Sequence, residues 1–188
     1  MESDDPRDLL AVQRTLQGDT GAFGEIVDRY TPMLYSLSYR LLGNREEAED
    51  AVQEIFERAY RSIGRFRLGS RFYTWLYTIG VNWLRSALRK RRRRGYDVAL
   101  PDELRDRRNG PCEGRDLAAL LAEREAHEAA LRAIGSLTAM YRIVFVMHYF
   151  ELMPLQHIAD VLRVPVGTVK TRLRRARTAL ATALTEDE

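Results

Sequence analysis

Six residues between Thr168 and Arg175 carry chemistry suited to reading a nucleic acid: Thr168, Lys170, Thr171, Arg172, Arg174 and Arg175. They supply hydroxyls, one ammonium and three guanidinium forks. An α-helix fits the major groove, and an arginine fork matches the paired acceptors on a guanine edge. From Arg163 to Leu184 the chain has 6 Lys or Arg and no Asp or Glu. Val166, Val169, Leu173, Ala176 and Leu180 recur at helical spacing and form the inward stripe. Thr171, Arg174, Arg175 and Thr178 therefore face away from it. Lys170 and Arg177 lie on one flank and Arg172 on the other. Free N–H groups near Gly167 and Thr168 are expected to hold a phosphate, aided by the helix dipole. A shorter amphipathic helix, Leu155–Leu162, precedes this one after only Arg163-Val164-Pro165, which is helix-turn-helix spacing.

A second basic block differs in kind. From Arg58 to Tyr96 there are 12 Lys or Arg, again with no acid. Phe66, Phe72, Tyr73, Trp75, Tyr77 and Trp83 are interleaved with them. Phe72, Trp75, Leu76, Ile79, Trp83 and Ala87 read as the buried stripe of a helix over 71–93. Tyr73 and Tyr77 fall off that stripe and are expected to be available. Aromatics beside arginines suit single-stranded nucleic acid, and stacking contributes about 1–3 kcal/mol per base. That matches the few kcal/mol needed to extrude a base from a duplex. Such a surface can capture an opened strand without ATP, and no phosphate-binding glycine loop suggests a motor.

The third surface is acidic. On a helix over 45–63, Val52, Ile55, Phe56, Ala59 and Ile63 share one face, while Asp50, Gln53, Glu54 and Glu57 lie away from it. Phosphate repulsion excludes those carboxylates from a DNA surface. A protein partner can meet them with Arg or Lys.

The elements that must position these residues are all predicted to be helices. Asp19 or Thr20 caps a helix from about Ala22 that Pro32 should kink or divide. Gly43-Asn44 ends it. After the helices over 45–63 and 71–93, joined by a loop at Gly64–Ser70, Gly95 to Gly114 reads as a linker holding Cys112. Four further helices span about Asp116–Gly135, Thr138–Glu151, Leu155–Leu162 and Val166–Leu184. The predicted class is all-α: two small helical domains, 1–94 and 123–188, joined by a flexible linker at 95–122, the second a helix-turn-helix domain. From Gly95 to Ala130 there are 5 basic and 9 acidic residues, so an acidic segment separates the two basic blocks within a chain of net charge +3.

Composition narrows the class. The 188 residues are 45% hydrophobic and 30% charged, ordinary for a globular protein. No apolar run approaches the roughly 20 residues of a membrane span, and the acidic start does not read as a secretory signal. A cytoplasmic location follows as an expectation, without membrane insertion. The single cysteine forms no internal disulfide, and no Cys or His lies near it at ligand spacing, so neither metal nor cofactor is expected. His127, His148 and His157 have no nucleophile pairing, so no catalytic residue is expected and the chain is not read as an enzyme. An autonomous helix-turn-helix regulator remains the alternative. It requires tight duplex binding alone and usually a symmetric dimer, and no segment reads as a dimerisation helix.

Three segments together resemble the extracytoplasmic-function sigma factors. Asp50-Ala51-Val52-Gln53-Glu54-Ile55-Phe56 is similar to their polymerase-binding motif. Phe66 through Tyr77 is similar to the loop and helix that open and read the minus-ten element. Pro165 through Arg177 is similar to their minus-thirty-five recognition helix. The resemblance spans about Asp19 to Leu184. It implies a transcription initiation factor that binds core RNA polymerase and directs it to promoter DNA. Asp50, Gln53, Glu54, Phe56 and Glu57 would grip a coiled coil of the polymerase's largest subunit. The loop Phe66–Phe72, with Ser70 and Arg71, would hold a flipped base, and Tyr73, Trp75, Asn82 and Arg85 would support it or touch the strand. An anti-sigma factor is an implied partner. The chain departs from the family's pattern at Leu68-Gly69-Ser70-Arg71, where an acidic residue is usual, and at Gln156-His157, which replace an acidic pair.

Overall fold

The computed structural model describes residues 6–67, 70–94, 129, 130 and 132–186. Its helices are α1 (Pro6–Leu16), α2 (Thr20–Leu42), α3 (Arg45–Ser62), α4 (Phe72–Arg93), α5 (Ala139–Tyr149), α6 (Leu155–Leu162) and α7 (Val166–Glu186). A 3-10 turn at Ile63–Arg65 joins α3 towards α4, and residues 132–136 are helical ahead of α5. The described residues are thus all-α, as the periodicities require. The expected linker with Cys112, and the helix from Asp116 except its last turns, lie outside the described residues.

Local signals account for most of the boundaries. The Asp19 carboxylate accepts the Ala22 N–H at 3.2 Å and caps α2. Gly43 closes α2 in the left-handed region, φ 75°, and its N–H donates to the Tyr39 carbonyl at 2.8 Å. Asn44 then caps α3, its side-chain oxygen accepting the Glu47 N–H at 2.9 Å. Pro32 does not divide α2, which runs unbroken past it. Pro32 and Asp28, whose carbonyl loses its helical donor, are both exposed, so water can take the lost bond.

Helix α1 was not anticipated. Its buried positions are Asp8, Ala11, Val12 and Thr15, while Leu10 and Leu16 are exposed. The spacing is helical, but polar residues at both ends of the stripe conceal it. Asp8 is docked by Arg29 and the Tyr30 hydroxyl of α2, and Thr15 donates to the Ala11 carbonyl at 2.7 Å.

Two apolar clusters meet along α4. Ala11, Val12, Phe23, Ile26, Ile55, Phe56, Phe72 and Leu76 belong to the first. The second joins Leu37, Leu41, Tyr77, Val81, Leu84 and Leu88 to Ile143, Val144, Met147, Ile158, Val161, Val169 and Leu173. Helix α6 therefore packs on α4, α5 packs on both α2 and α4, and α7 packs on α5 and α6. Helix α4 is covered on two sides, which moves its buried stripe. Leu76, Tyr77, Val81, Leu84 and Leu88 are buried, whereas Trp75, Ile79, Trp83 and Ala87 are half-buried. Gly80 permits the close approach of three helices: a Cβ there would meet Leu34 Cδ2 at 3.2 Å and Ile55 Cδ1 at 3.5 Å.

Candidate nucleic-acid interface

The turn between α6 and α7 sets the angle of the recognition helix. Arg163 adopts φ 52°, ψ 49°, a left-handed conformation uncommon for a residue with a side chain. The Val164 N–H returns to the Ala159 carbonyl at 3.0 Å, and the Thr168 and Val169 N–H groups return to Pro165. The Thr168 N–H, expected to be free for a phosphate, is thus already engaged at 2.8 Å. Val169, Leu173 and Ala176 are buried as the stripe requires.

Lys170, Thr171, Arg174 and Arg175 are exposed, while Thr168 and Arg172 are half-buried. Arg172 Nη1 is buried without a hydrogen-bond partner among the described residues. The Thr171 hydroxyl donates to the Gly167 carbonyl at 2.9 Å, so only its lone pairs and methyl remain for a base edge. Arg175 Nη1 donates to the Tyr141 hydroxyl of α5 at 3.4 Å, a positioning contact that the spacing of α7 alone does not reveal. The exposed face is cationic and free of acids.

The aromatic segment is layered. Phe66 and Phe72 are buried, with ring centroids 5.4 Å apart, and Trp75 sits 5.4 Å from Phe66 and 5.5 Å from Phe72. These three form a floor; they do not stand out as surface rings. Above it, Ser70 and Arg71 are exposed and Tyr73 is half-buried. The Ser70 hydroxyl donates to the Arg67 carbonyl at 2.8 Å. Asn82 is exposed, and Arg85 is half-buried with its Nε buried and unpartnered among the described residues. Tyr77 corrects the expectation: it is 0% exposed and packs 5.4 Å from Tyr73 under the helix-turn-helix half. Burial, reinforced by Glu151, pushes the Tyr73 hydroxyl up to about 12, so it stays protonated and can donate a hydrogen bond.

On α3, Asp50, Gln53 and Glu54 are exposed, Glu57 is half-buried and Phe56 is buried. Glu54 pairs with Arg58 at 3.3 Å and Glu57 with Arg61 at 3.0 Å, both one turn apart and exposed. Such pairs contribute only about 0.3–0.5 kcal/mol, so a partner can exchange them at little cost. A groove of about 570 Å³ runs between α2 and α3. Phe23, Val27, Val52 and Phe56 line it together with Gln53 and Glu57. The structure brings Gln53, Phe56 and Glu57 together there, with Asp50 and Glu54 on the adjoining exposed surface. The contribution of α2 to this groove was not legible in the α3 pattern.

Comparison with known proteins matches two segments of the chain. Residues 26–94 match Sigma-70 region 2 and residues 127–180 match Sigma-70, region 4. The chain is 37% identical over 172 residues to the ECF RNA polymerase sigma factor SigW of Bacillus subtilis, covering 90% of this chain and 92% of that one. It is 35% identical over 182 residues to the RNA polymerase sigma-H factor of Pseudomonas aeruginosa, covering 95% and 94%. Among solved structures, CnrH in complex with the cytosolic domain of CnrY superposes with a TM-score of 0.63 at 24% identity, over 97% of this chain and 99% of that one. The sigma factor RpoE bound to the anti-sigma factor NepR, from Bartonella quintana, gives 0.56 at 24% identity, over 88% and 98%.

Proposed function

The chain belongs to the extracytoplasmic-function sigma factors of the Sigma-70 family, and on that premise we propose how its surfaces divide the work of directing RNA polymerase to promoters. The groove between α2 and α3, with Asp50, Gln53, Glu54, Phe56 and Glu57, binds core polymerase. Phe66, Phe72 and Trp75 form the floor on which Ser70, Arg71 and Tyr73 capture an opened minus-ten strand, with Asn82 and Arg85 further along α4. Thr168, Lys170, Thr171, Arg172, Arg174 and Arg175 read the minus-thirty-five duplex. Residues 1–94 and 123–188 are the two functional units, and 95–122 link them. The protein contributes binding and no catalysis of its own, and it works in the cytoplasm with the polymerase. No helix among the described residues is long and apolar enough to cross a membrane. An anti-sigma factor restrains it, a reading supported by its likeness to RpoE, whose solved complex contains one.

The observation that carries this reading is one chain holding an acid-flanked groove, an aromatic floor among arginines and a recognition helix without an acid before its last residue. A lone regulator has use for only the last. The test is to mix the purified chain with core polymerase and with duplex DNA separately. Formation of a stable complex with the polymerase, together with weak salt-sensitive binding to duplex alone, is expected. Tight binding to a palindromic duplex by a dimer, with no polymerase complex, would establish the autonomous regulator instead.

A further inference from the structure

The α7 side chains assigned to the minus-thirty-five duplex are held in unlike ways. The Thr171 and Thr178 hydroxyls bond within their own helix, to the Gly167 carbonyl at 2.9 Å and the Arg174 carbonyl at 3.1 Å. Lys170 and Arg174 are exposed and make no hydrogen bond or ion pair among the described residues. Arg175 is tied to another helix: its Nη1 donates to the Tyr141 hydroxyl of α5 at 3.4 Å. Among the described residues, no other side chain assigned to that duplex makes such a cross-helix hydrogen bond.

Both ends of the contact rest on packed helices. Tyr141 lies in the first turn of α5 and is half-buried. The next three residues, Arg142, Ile143 and Val144, are buried. Ile143 and Val144 share a core with Val169 and Leu173 of α7, so packing fixes the spacing of the two helices. On α7, Arg175 is exposed directly before the buried Ala176.

The chemistry of the tether suits base reading. Its acceptor is a neutral hydroxyl, so the guanidinium keeps its charge for DNA, unlike Arg58 and Arg61, which pair with carboxylates. With Nη1 held, Nε and Nη2 remain as one edge of two parallel donors. Two such donors match the O6 and N7 acceptors of guanine. A long side chain loses rotamer freedom when it docks, and a tether formed in folding lowers that loss at binding. Lys170 and Arg174, without a tether, can swing to the nearest phosphate.

We infer that Tyr141 is a specificity-determining positioning residue, which aims the Arg175 fork at one upstream base pair from a different helix. The inference rests on the assignment of Arg175 to base reading.

The test uses polymerase holoenzyme carrying the full chain, selected on a promoter library randomised upstream. The variants are Tyr141→Phe, Arg175→Ala and the two together. Tyr141→Phe keeps the ring and removes the hydroxyl, and an unchanged unfolding midpoint checks the fold. It should relax preference at the same position as Arg175→Ala and at no other. Discrimination there should fall by about twofold to tenfold, as loss of one neutral hydrogen bond implies. The salt dependence of binding should keep its slope, because no phosphate contact is removed. Adding Tyr141→Phe to Arg175→Ala should change the selected sequence no further, since the residue acts through Arg175. Three results overturn the inference: an unchanged preference in Tyr141→Phe, equal weakening of all upstream sequences, or a further loss in the double variant. If Arg175→Ala itself relaxes no position, the base-reading assignment fails and the role of Tyr141 fails with it.

Discussion

On α7, Arg175 and Thr171 are exposed opposite the Val169–Leu173–Ala176 stripe and Lys170 is exposed on a flank; we propose that the first two meet base edges and Lys170 a backbone phosphate. Phosphate contacts add affinity without sequence information, and base contacts discriminate. Arg175→Ala should cost about 1–3 kcal/mol and relax preference at one upstream position. Lys170→Ala should weaken all upstream sequences alike and flatten the salt dependence by about one unit of slope. Selection from a randomised promoter library with each variant holoenzyme checks both. Base reading passes to Arg174 if neither variant changes the selected sequence. The outward placement of these side chains was legible because a single helical period fixes it. The Arg175–Tyr141 contact was not, since it joins two helices through a residue 34 positions away. Nor did any local pattern mark Arg142 as buried, because arginine is ordinarily a surface residue.

Among the elements, α3 and α4 carry predictions of different kinds. The Asn44 side chain satisfies an N–H that α3 cannot pair internally, so Asn44→Ala should lower stability by about 1 kcal/mol in urea unfolding. Gly80→Val would force a branched side chain against Leu34 and Ile55 and should cost roughly 1–3 kcal/mol. Reversing charge with Asp50→Arg and Glu57→Arg should weaken polymerase binding in a calorimetric titration without lowering the unfolding midpoint, because neither side chain is in the core. Tyr73→Ala should reduce opening of duplex promoters and be largely rescued on a pre-opened bubble template. Equal impairment on both templates would remove Tyr73 from strand opening. Where capping residues and apolar periods agree, as at Asp19, Gly43 and Asn44, the sequence announces the helix. It concealed α1, whose stripe begins and ends with polar residues that tertiary partners make buriable. It misplaced Tyr77 because a stripe inferred for one packed face cannot anticipate a second layer on the other.

For the molecule as a whole, the proposed activity rests on three surfaces in fixed chain order, and the segments that suggest them, residues 50–56, 66–77 and 165–177, were readable in the sequence. The packing of α5 and α6 onto α2 and α4 was not, because it depends on surfaces that meet only after each half has folded. Helix α4 serves both halves: it carries Phe72, Tyr73 and Trp75 and packs against α2 and α3 on one side and α5 and α6 on the other. This chain gives polymerase its promoter choice. The direct measurement is run-off transcription on duplex genomic fragments with core polymerase, with and without the purified chain. Discrete transcripts that appear only when the chain is present, and that vanish with Asp50→Arg and Glu57→Arg, are the predicted result. Initiation by core polymerase that is the same with and without the chain would contradict it.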